Sequence, residues 1–235
     1  MSDNYANSAH IPGGDEYFAT WRAKAESFRS AHPPETVAGM DLFQFPAPKG
    51  VMVFVHGGFW METGPRDWSH LAAGALAQGW SVAMPGYTLA PAARIGAMVD
   101  QVCAAVRALA APRIVVTGHS AGGHLAAMVA TRIAVERVVP ISPLADLRPF
   151  LDHPMNQTLR LNAAEAAAQS PVSHRPLCPV HVHVGGQERP AFLWQARVLS
   201  EVWDCPWTVA PGRHHFDVIE DLERPSPLLD VLLQG

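Results

Sequence analysis

The stretch Arg113-Ile114-Val115-Val116-Thr117-Gly118-His119-Ser120-Ala121-Gly122-Gly123-His124-Leu125 decides how the rest of the chain is read. A β-branched run, suited to a strand, enters Gly-x-Ser-x-Gly and leaves as the helix-forming run Leu125 to Ala130. A strand that turns into a helix at a serine makes a tight elbow. Its central residue tends to a strained backbone, and the positions two on either side must be small. Gly118 and Gly122 meet that need. Ser120 is then expected at the carboxyl end of its strand, facing the free amides and positive dipole end of the next helix. A chance Gly-x-Ser-x-Gly in a loop would lack both flanks.

The chain before the elbow fits a parallel sheet. Val51-Met52-Val53-Phe54-Val55 is apolar throughout, as a strand buried on both faces reads, and it enters His56-Gly57-Gly58-Phe59-Trp60. Residues 67–78 read as a helix, with Trp68, Leu71, Ala75 and Leu76 on one side and Gly79 as its cap. A strand at 80–84, a helix at 93–110 and the elbow strand at 113–117 follow. Strand and helix alternate, which implies parallel strands joined by right-handed crossovers. Further upstream, 15–30 reads as a helix with Phe18, Trp21, Ala25 and Phe28 on one face, packing over the mouth of the site. His32-Pro33-Pro34 ends it, and 42–45 is expected as an edge strand at the antiparallel end of the sheet.

Beyond the elbow, 138–142 is another strand. The rhythm then breaks over 143–179, where several prolines surround one helix at 163–169. Such an excursion after a strand's carboxyl end is a candidate cap or lid. The sheet resumes at 180–184, followed by a helix at 191–203, a last strand at 207–209 and the start of a final helix at 217–222.

Length and composition bound the rest. The 235 residues are 49% hydrophobic, which suits one α/β domain over 1–235, with 1–40 as an N-terminal helical segment. A net charge of -4 and 16% charged residues, with no basic run, point away from nucleic acid and membrane surfaces. The polar start Met1-Ser2-Asp3-Asn4-Tyr5 is unlike a secretory leader, so a cytoplasmic protein is expected. Cys103, Cys178 and Cys205 suggest free thiols rather than a disulfide framework or a zinc site. No metal and no cofactor are expected; the partner is a small-molecule substrate, and a homodimer stays open.

A serine hydroxyl is a poor nucleophile at neutral pH. It needs a base for its proton, and the base needs an acid to fix its tautomer. In this sheet architecture the order along the chain is Ser, acid, His. The histidine belongs in the loop after the last strand, Pro211-Gly212-Arg213-His214-His215-Phe216. His215 is preferred because Phe216 can anchor the loop by packing; His214 is the runner-up. The acid is expected after the second-last strand, where Glu188 is the only carboxylate of Gly185-Gly186-Gln187-Glu188-Arg189-Pro190. Asp146, in the loop after the preceding strand, is the alternative acid. The oxyanion donors are expected to be the amides of Ala121, Gly58 and Phe59, with Gly57 supporting them.

His56-Gly57-Gly58-Phe59-Trp60, the unbroken GHSAGGHL of Gly118 to Leu125, the segment Ser142 to Pro149 and the pair His215-Phe216 together resemble a known family. The chain is similar to the α/β-hydrolase superfamily and, within it, to the hormone-sensitive-lipase-like branch and the kynurenine formamidases. The resemblance runs from about Phe54 to Leu222. It implies a mostly parallel central sheet flanked by helices, with a short cap insertion after the sixth strand. It also implies a serine hydrolase that acts on an aryl formamide such as N-formylkynurenine, or else a carboxylesterase or thioesterase. It places Ser120, Glu188 and His215 in the catalytic roles. Trp60 and His124 are candidate substrate-binding positions; Phe59 and Trp60, beside the oxyanion loop, read equally as an aromatic wall for the substrate or as core residues. The acid of kynurenine formamidases is usually aspartate and here is Glu188; the residue before the histidine is often asparagine and here is His214. A non-catalytic binding protein of the same fold would usually lack a triad member, whereas each role here has an occupant. A metallohydrolase would need a ligand cluster such as His-x-x-x-His, which does not occur.

Overall fold

The computed structural model describes residues 3–234. Its strands are β1 Glu35–Val37, β2 Met40–Phe43, β3 Val51–Val55, β4 Ser81–Met84, β5 Ile114–His119, β6 Arg137–Ile141, β7 Val182–Gly185 and β8 Trp207–Ala210. They form one sheet in the order β1-β2-β4-β3-β5-β6-β7-β8. β1 and β2 are antiparallel, and β2 is antiparallel to β4; every later pairing is parallel. The helices are α1 Tyr17–Ala31, α2 Ala73–Ala77, α3 Ile95–Arg107, α4 Ala121–Ala130, α5 Asn156–Leu159, α6 Ala163–Ala168, α7 Pro190–Trp203 and α8 Pro227–Leu233. This is the α/β-hydrolase architecture.

The sheet separates two cores. Successive side chains of a strand point to opposite faces, and β3 shows the consequence. Val51, Val53 and Val55 pack with α3, α4 and α7. Met52 and Phe54 pack with α1, α2 and α8. Both faces need apolar side chains, so the strand is apolar throughout. All ten residues of α4 are buried, which explains its alanine- and glycine-rich composition.

Three local readings need correction. The antiparallel end was expected to close on a strand at 42–45; instead β1 lies outside β2. Ala38 and Gly39, with φ of 50° and 78°, make a two-residue turn that sets Val37 opposite Met40. A three-residue strand is too short to show alternation in sequence. The helix expected at 67–78 is mostly 3-10, Pro65–Ala72, before α2 begins, and the Asp67 carboxylate accepts from the Gly64 amide at 2.9 Å. The final helix does not start at 217. A turn and a short 3-10 segment, Glu220–Leu222, lead to Pro225, which cannot continue a helix. Ser226 then caps α8 by accepting from the Leu229 amide at 3.2 Å. The 143–179 excursion holds α5, α6 and two 3-10 turns. Leu144, Leu147, Phe150, Leu159 and Leu161 sink from it into the core.

Candidate active site

Loops at the carboxyl ends of the parallel strands bring the candidate residues together, as open α/β sheets generally do. Ser120 follows β5 with φ 57° and ψ -116°, a strained conformation for a residue with a side chain. Close approach makes the elbow possible. A Cβ on Gly122 would stand 2.0 Å from the Val55 carbonyl oxygen, and one on Gly118 would stand 2.3 Å from that of Gly122. The Ser120 amide donates to the Ile141 carbonyl at 2.9 Å, tying the elbow to β6.

Glu188 and His215 meet across 27 residues of sequence. His215 Nδ1–H donates to Glu188 Oε2 at 2.6 Å, with both side chains buried. The other oxygen, Oε1, accepts from the Ser142 hydroxyl at 2.5 Å and from the Gly185 amide at 2.8 Å. Three donors thus converge on one carboxylate. The His215 ring packs between Phe192 and His119, with centroids 4.1 and 4.6 Å away. Its Nδ1 is committed to Glu188, so Nε2 is the nitrogen left to handle a proton. Ser120 and His215 line one cavity with Gly58, Phe59 and His119. Burial, and then the nearby His215, push the His119 pKa well below its ordinary value. His119 therefore stays neutral beside His215.

The loop after β3 is held so that its amides are spared. The Gly57 carbonyl accepts from His56 Nδ1 at 2.9 Å and from the Thr63 hydroxyl at 3.0 Å, with the Tyr87 hydroxyl at 3.4 Å. A trans peptide points its N–H opposite to its C=O, so pinning that carbonyl turns the Gly58 amide away from these donors. The next peptide repeats the device: the Gly58 carbonyl accepts from the amides of Met61 and Glu62 at 2.9 and 2.8 Å, which frees the Phe59 amide. Gly58 has φ 97°, and Phe59 and Trp60 follow at 54° and 60°. Among the described residues, the amides of Gly58, Phe59 and Ala121 have no acceptor.

Several other candidates fall outside this cluster. Asp146 is buried, but its carboxylate is bound at 2.6–3.1 Å by the Arg148 guanidinium. Burial alone would raise its pKa; the hydrogen bonds and charge of Arg148 bring it below the usual value. His214 faces the other way from its neighbour. Its Nε2 lies 3.2 Å from the Tyr17 hydroxyl, and its Nδ1 accepts from the amides of Phe216 and Asp217. The substrate-binding reading of Trp60 and His124 requires correction: both are fully buried and neither lines the cavity, so Trp60 takes the core alternative. The Trp60 indole donates to His124 Nδ1 at 3.3 Å, and His124 Nε2–H donates to the Gln169 carbonyl at 2.7 Å. Burial pushes the His124 pKa down to about 4, so it is a neutral bridge between α4 and the segment after α6.

Aromatic side chains form much of the cavity wall. Phe18, Trp21, Phe59, Trp68 and Phe216 line the cavity. The 143–179 segment contributes none of the lining residues; the N-terminal segment contributes Asn7 along with Phe18 and Trp21. Sequence reasoning missed Asn7, Ser142 and Gln195. Buried Gln195 accepts from the amides of Ala145 and Asp146 at 2.7 Å and donates to the Tyr5 hydroxyl at 3.0 Å. The only signal for Ser142 was its place at the end of a strand beside the elbow strand. Among the described residues, no group of three or more His, Cys, Asp or Glu side chains is placed to hold a metal ion. No helix among them is long and apolar enough to cross a membrane.

Residues 52–187, more than half of the chain, match the family model for the α/β-hydrolase fold, so the chain belongs to the α/β-hydrolase family. Within it, a candidate thioesterase of known structure from Silicibacter sp. TM1040 is 43% identical. That match has a TM-score of 0.93 and covers 100% of this chain and 98% of the other. The kynurenine formamidase of Salmo salar is 27% identical over 198 residues, 73% of this chain and 67% of its own length. A carboxylesterase/phospholipase, LipF of Mycobacterium tuberculosis, is 30% identical over 206 residues, 70% of this chain and 55% of its own.

Proposed function

We propose that the chain is a serine hydrolase working through an acyl-enzyme, with an aryl formamide of the N-formylkynurenine type as its preferred substrate. The observation that carries this reading is the gathering of Ser120, the Glu188-bound His215 and the unpaired amides of Gly58 and Phe59 around one cavity. In this mechanism Ser120 Oγ attacks the carbonyl carbon while its proton passes to His215 Nε2. Glu188 holds the tautomer and offsets the imidazolium charge. The oxyanion is held by the amides of Ala121, Gly58 and Phe59. His215 then returns the proton to the departing amine, leaving a formyl ester on Ser120. Water, deprotonated by His215, attacks the formyl carbon; the bond to Ser120 Oγ breaks, His215 returns the proton to that oxygen, and formate leaves.

The substrate preference rests on three supports. The cavity leaves little room beside Ser120, which suits a one-carbon acyl group. Phe18, Trp21 and Phe216 offer a wall for an aromatic leaving group. Kynurenine formamidases from fish and fly are among the relatives of the chain. A second reading, a carboxylesterase or thioesterase for small acyl groups, draws on the 43% identical candidate thioesterase and on LipF. The same machinery would serve it.

The test is kcat/KM for N-formylkynurenine against p-nitrophenyl acetate and a short acyl thioester, with Ser120→Ala alongside. A preference for the formamide, with turnover that falls about 10⁶-fold in the variant, supports the aryl formamidase. Ester or thioester cleavage without formamide turnover moves the protein to the second reading. Turnover that survives in Ser120→Ala would remove the serine mechanism.

A further inference from the structure

Asn7 breaks two ordinary rules at once. It stands at the N-cap of the 3-10 turn Ser8–His10, where an asparagine normally spends its side-chain oxygen on a backbone amide. Here no side-chain cap bond forms. The residue is only 3% exposed, yet among the described residues its buried Oδ1 has no hydrogen-bond partner. A buried carbonyl oxygen without a donor loses the hydrogen bond it would have in water, and native structures rarely leave one so. The amide orientation follows from its surroundings. Nδ2 lies 3.4 Å from the Tyr5 carbonyl, which can only accept, so the nitrogen belongs there and Oδ1 on the other side.

Tyr5 holds this arrangement in place. Its ring packs against Phe150 and Phe192, with centroids at 4.5 and 5.6 Å, and its hydroxyl accepts from Gln195. Asn7 therefore sits on an anchored backbone. It lines the same cavity as Ser120, Gly58, Phe59 and His215, and the rest of that wall is mainly aromatic. An acceptor without a donor beside an acyl-transfer site selects for a ligand that brings a donor.

We infer that Asn7 is a specificity residue whose Oδ1 accepts the N–H of the scissile amide, so that the site favours secondary amides over substrates without that N–H. An ester or thioester would set its own acceptor atom or a sulfur against this oxygen. A tertiary amide would set a carbon there. A site built to pair a substrate N–H rejects analogues that leave its polar group unpaired. The inference rests on the serine-hydrolase reading given above and narrows its substrate class.

The test is a cycle of two substrates and two proteins: formanilide and N-methylformanilide, each with the full chain and with Asn7→Ala. Expected is a kcat/KM penalty for N-methylation that shrinks by about tenfold or more in Asn7→Ala, with Asn7→Asp, which keeps an acceptor, retaining the larger penalty. An equal penalty in all three proteins overturns the inference and leaves the oxygen to an ordered water. It does not touch the serine mechanism, which Ser120→Ala reports separately. Should Asn7→Ala not fold, the unaltered protein still decides: equal turnover of the two formanilides would overturn the inference. If the unaltered protein cleaves p-nitrophenyl acetate but neither formanilide, the amide preference falls while the hydrolase stands. If it cleaves nothing, both fall.

Discussion

The Ser142 hydroxyl donates to Oε1 of Glu188 at 2.5 Å, on the oxygen that does not face His215. Ser142 sits at φ 49°, just past β6, and is fully buried. It keeps the carboxylate from turning, so Oε2 stays on His215 Nδ1. Ser142→Ala should leave Glu188 short of one donor. The expected outcome is a fall in kcat of about tenfold and a stability loss of about 1–3 kcal/mol. Steady-state kinetics and urea unfolding would check both. An unchanged kcat would mean that the Gly185 amide and His215 suffice to hold the carboxylate.

Glu188→Gln should lower kcat by about 10⁴-fold, since an amide cannot hold the right tautomer or offset the imidazolium charge. Asp146→Asn loses the interaction with Arg148, a side chain that is 68% exposed, and should change kcat by less than about threefold. Kinetics of both variants on one substrate decide; the reverse ranking would assign the acid to Asp146.

Thr63→Val should impair turnover without weakening binding. The Thr63 hydroxyl donates to the Gly57 carbonyl and accepts from the Trp68 indole at 3.2 Å. Without it the Gly57–Gly58 peptide is freer to rotate, and the Gly58 amide loses its aim. A drop in kcat of about tenfold with little change in KM is expected, because such a donor acts mainly on the transition state. A rise in KM alone would contradict this account of the loop.

Gly122→Ala should cost stability rather than chemistry alone. The new Cβ would meet backbone oxygens of Val55 and His56 at 2.0 and 2.4 Å, and backbone cannot step aside as a side chain can. A loss of about 3 kcal/mol or more is expected, or roughly 6–12 °C in Tm for a chain of this size. Thermal unfolding of the variant reads it directly; a native Tm would show that β3 and α4 can separate.

Stability should decline on mild acidification. Burial pushes the pKa values of His56, His70, His124 and His183 down to about 4 in the folded state. The unfolded chain binds protons at these sites near pH 6.5. Below that pH the unfolded state holds more protons than the folded one, so stability is full above about 6.5 and is lost as pH falls towards 4. Each histidine contributes a slope of up to about 1.4 kcal/mol per pH unit in that window. Urea midpoints at pH 7.5, 6 and 5 would follow the loss; a flat profile would mean that these histidines charge without unfolding.

What could be read without the structure was whatever short-range chemistry dictates. An elbow needs glycines at 118 and 122 whatever surrounds it, and a strand buried on both faces must be apolar, as Val51–Val55 is. Parallel strands must point their carboxyl ends the same way, so His56, Ser120, Glu188 and His215 fall at one rim of the sheet. Whether Trp60 and His124 face the site is not legible in sequence, because a residue next to a functional motif can point into the core as easily as into the site, and only packing decides which. Their indole–imidazole–carbonyl chain closes on Gln169, 45 residues beyond His124. Asn7, Phe18 and Trp21 reach the cavity because the N-terminal segment folds across it, and Ser142 reaches Glu188 because β6 lies beside β7. These are contacts between segments far apart in sequence. No local pattern encodes them, because they follow from how the sheet orders its strands and where the N-terminal segment is anchored by Tyr5 against Phe150, Phe192 and Gln195.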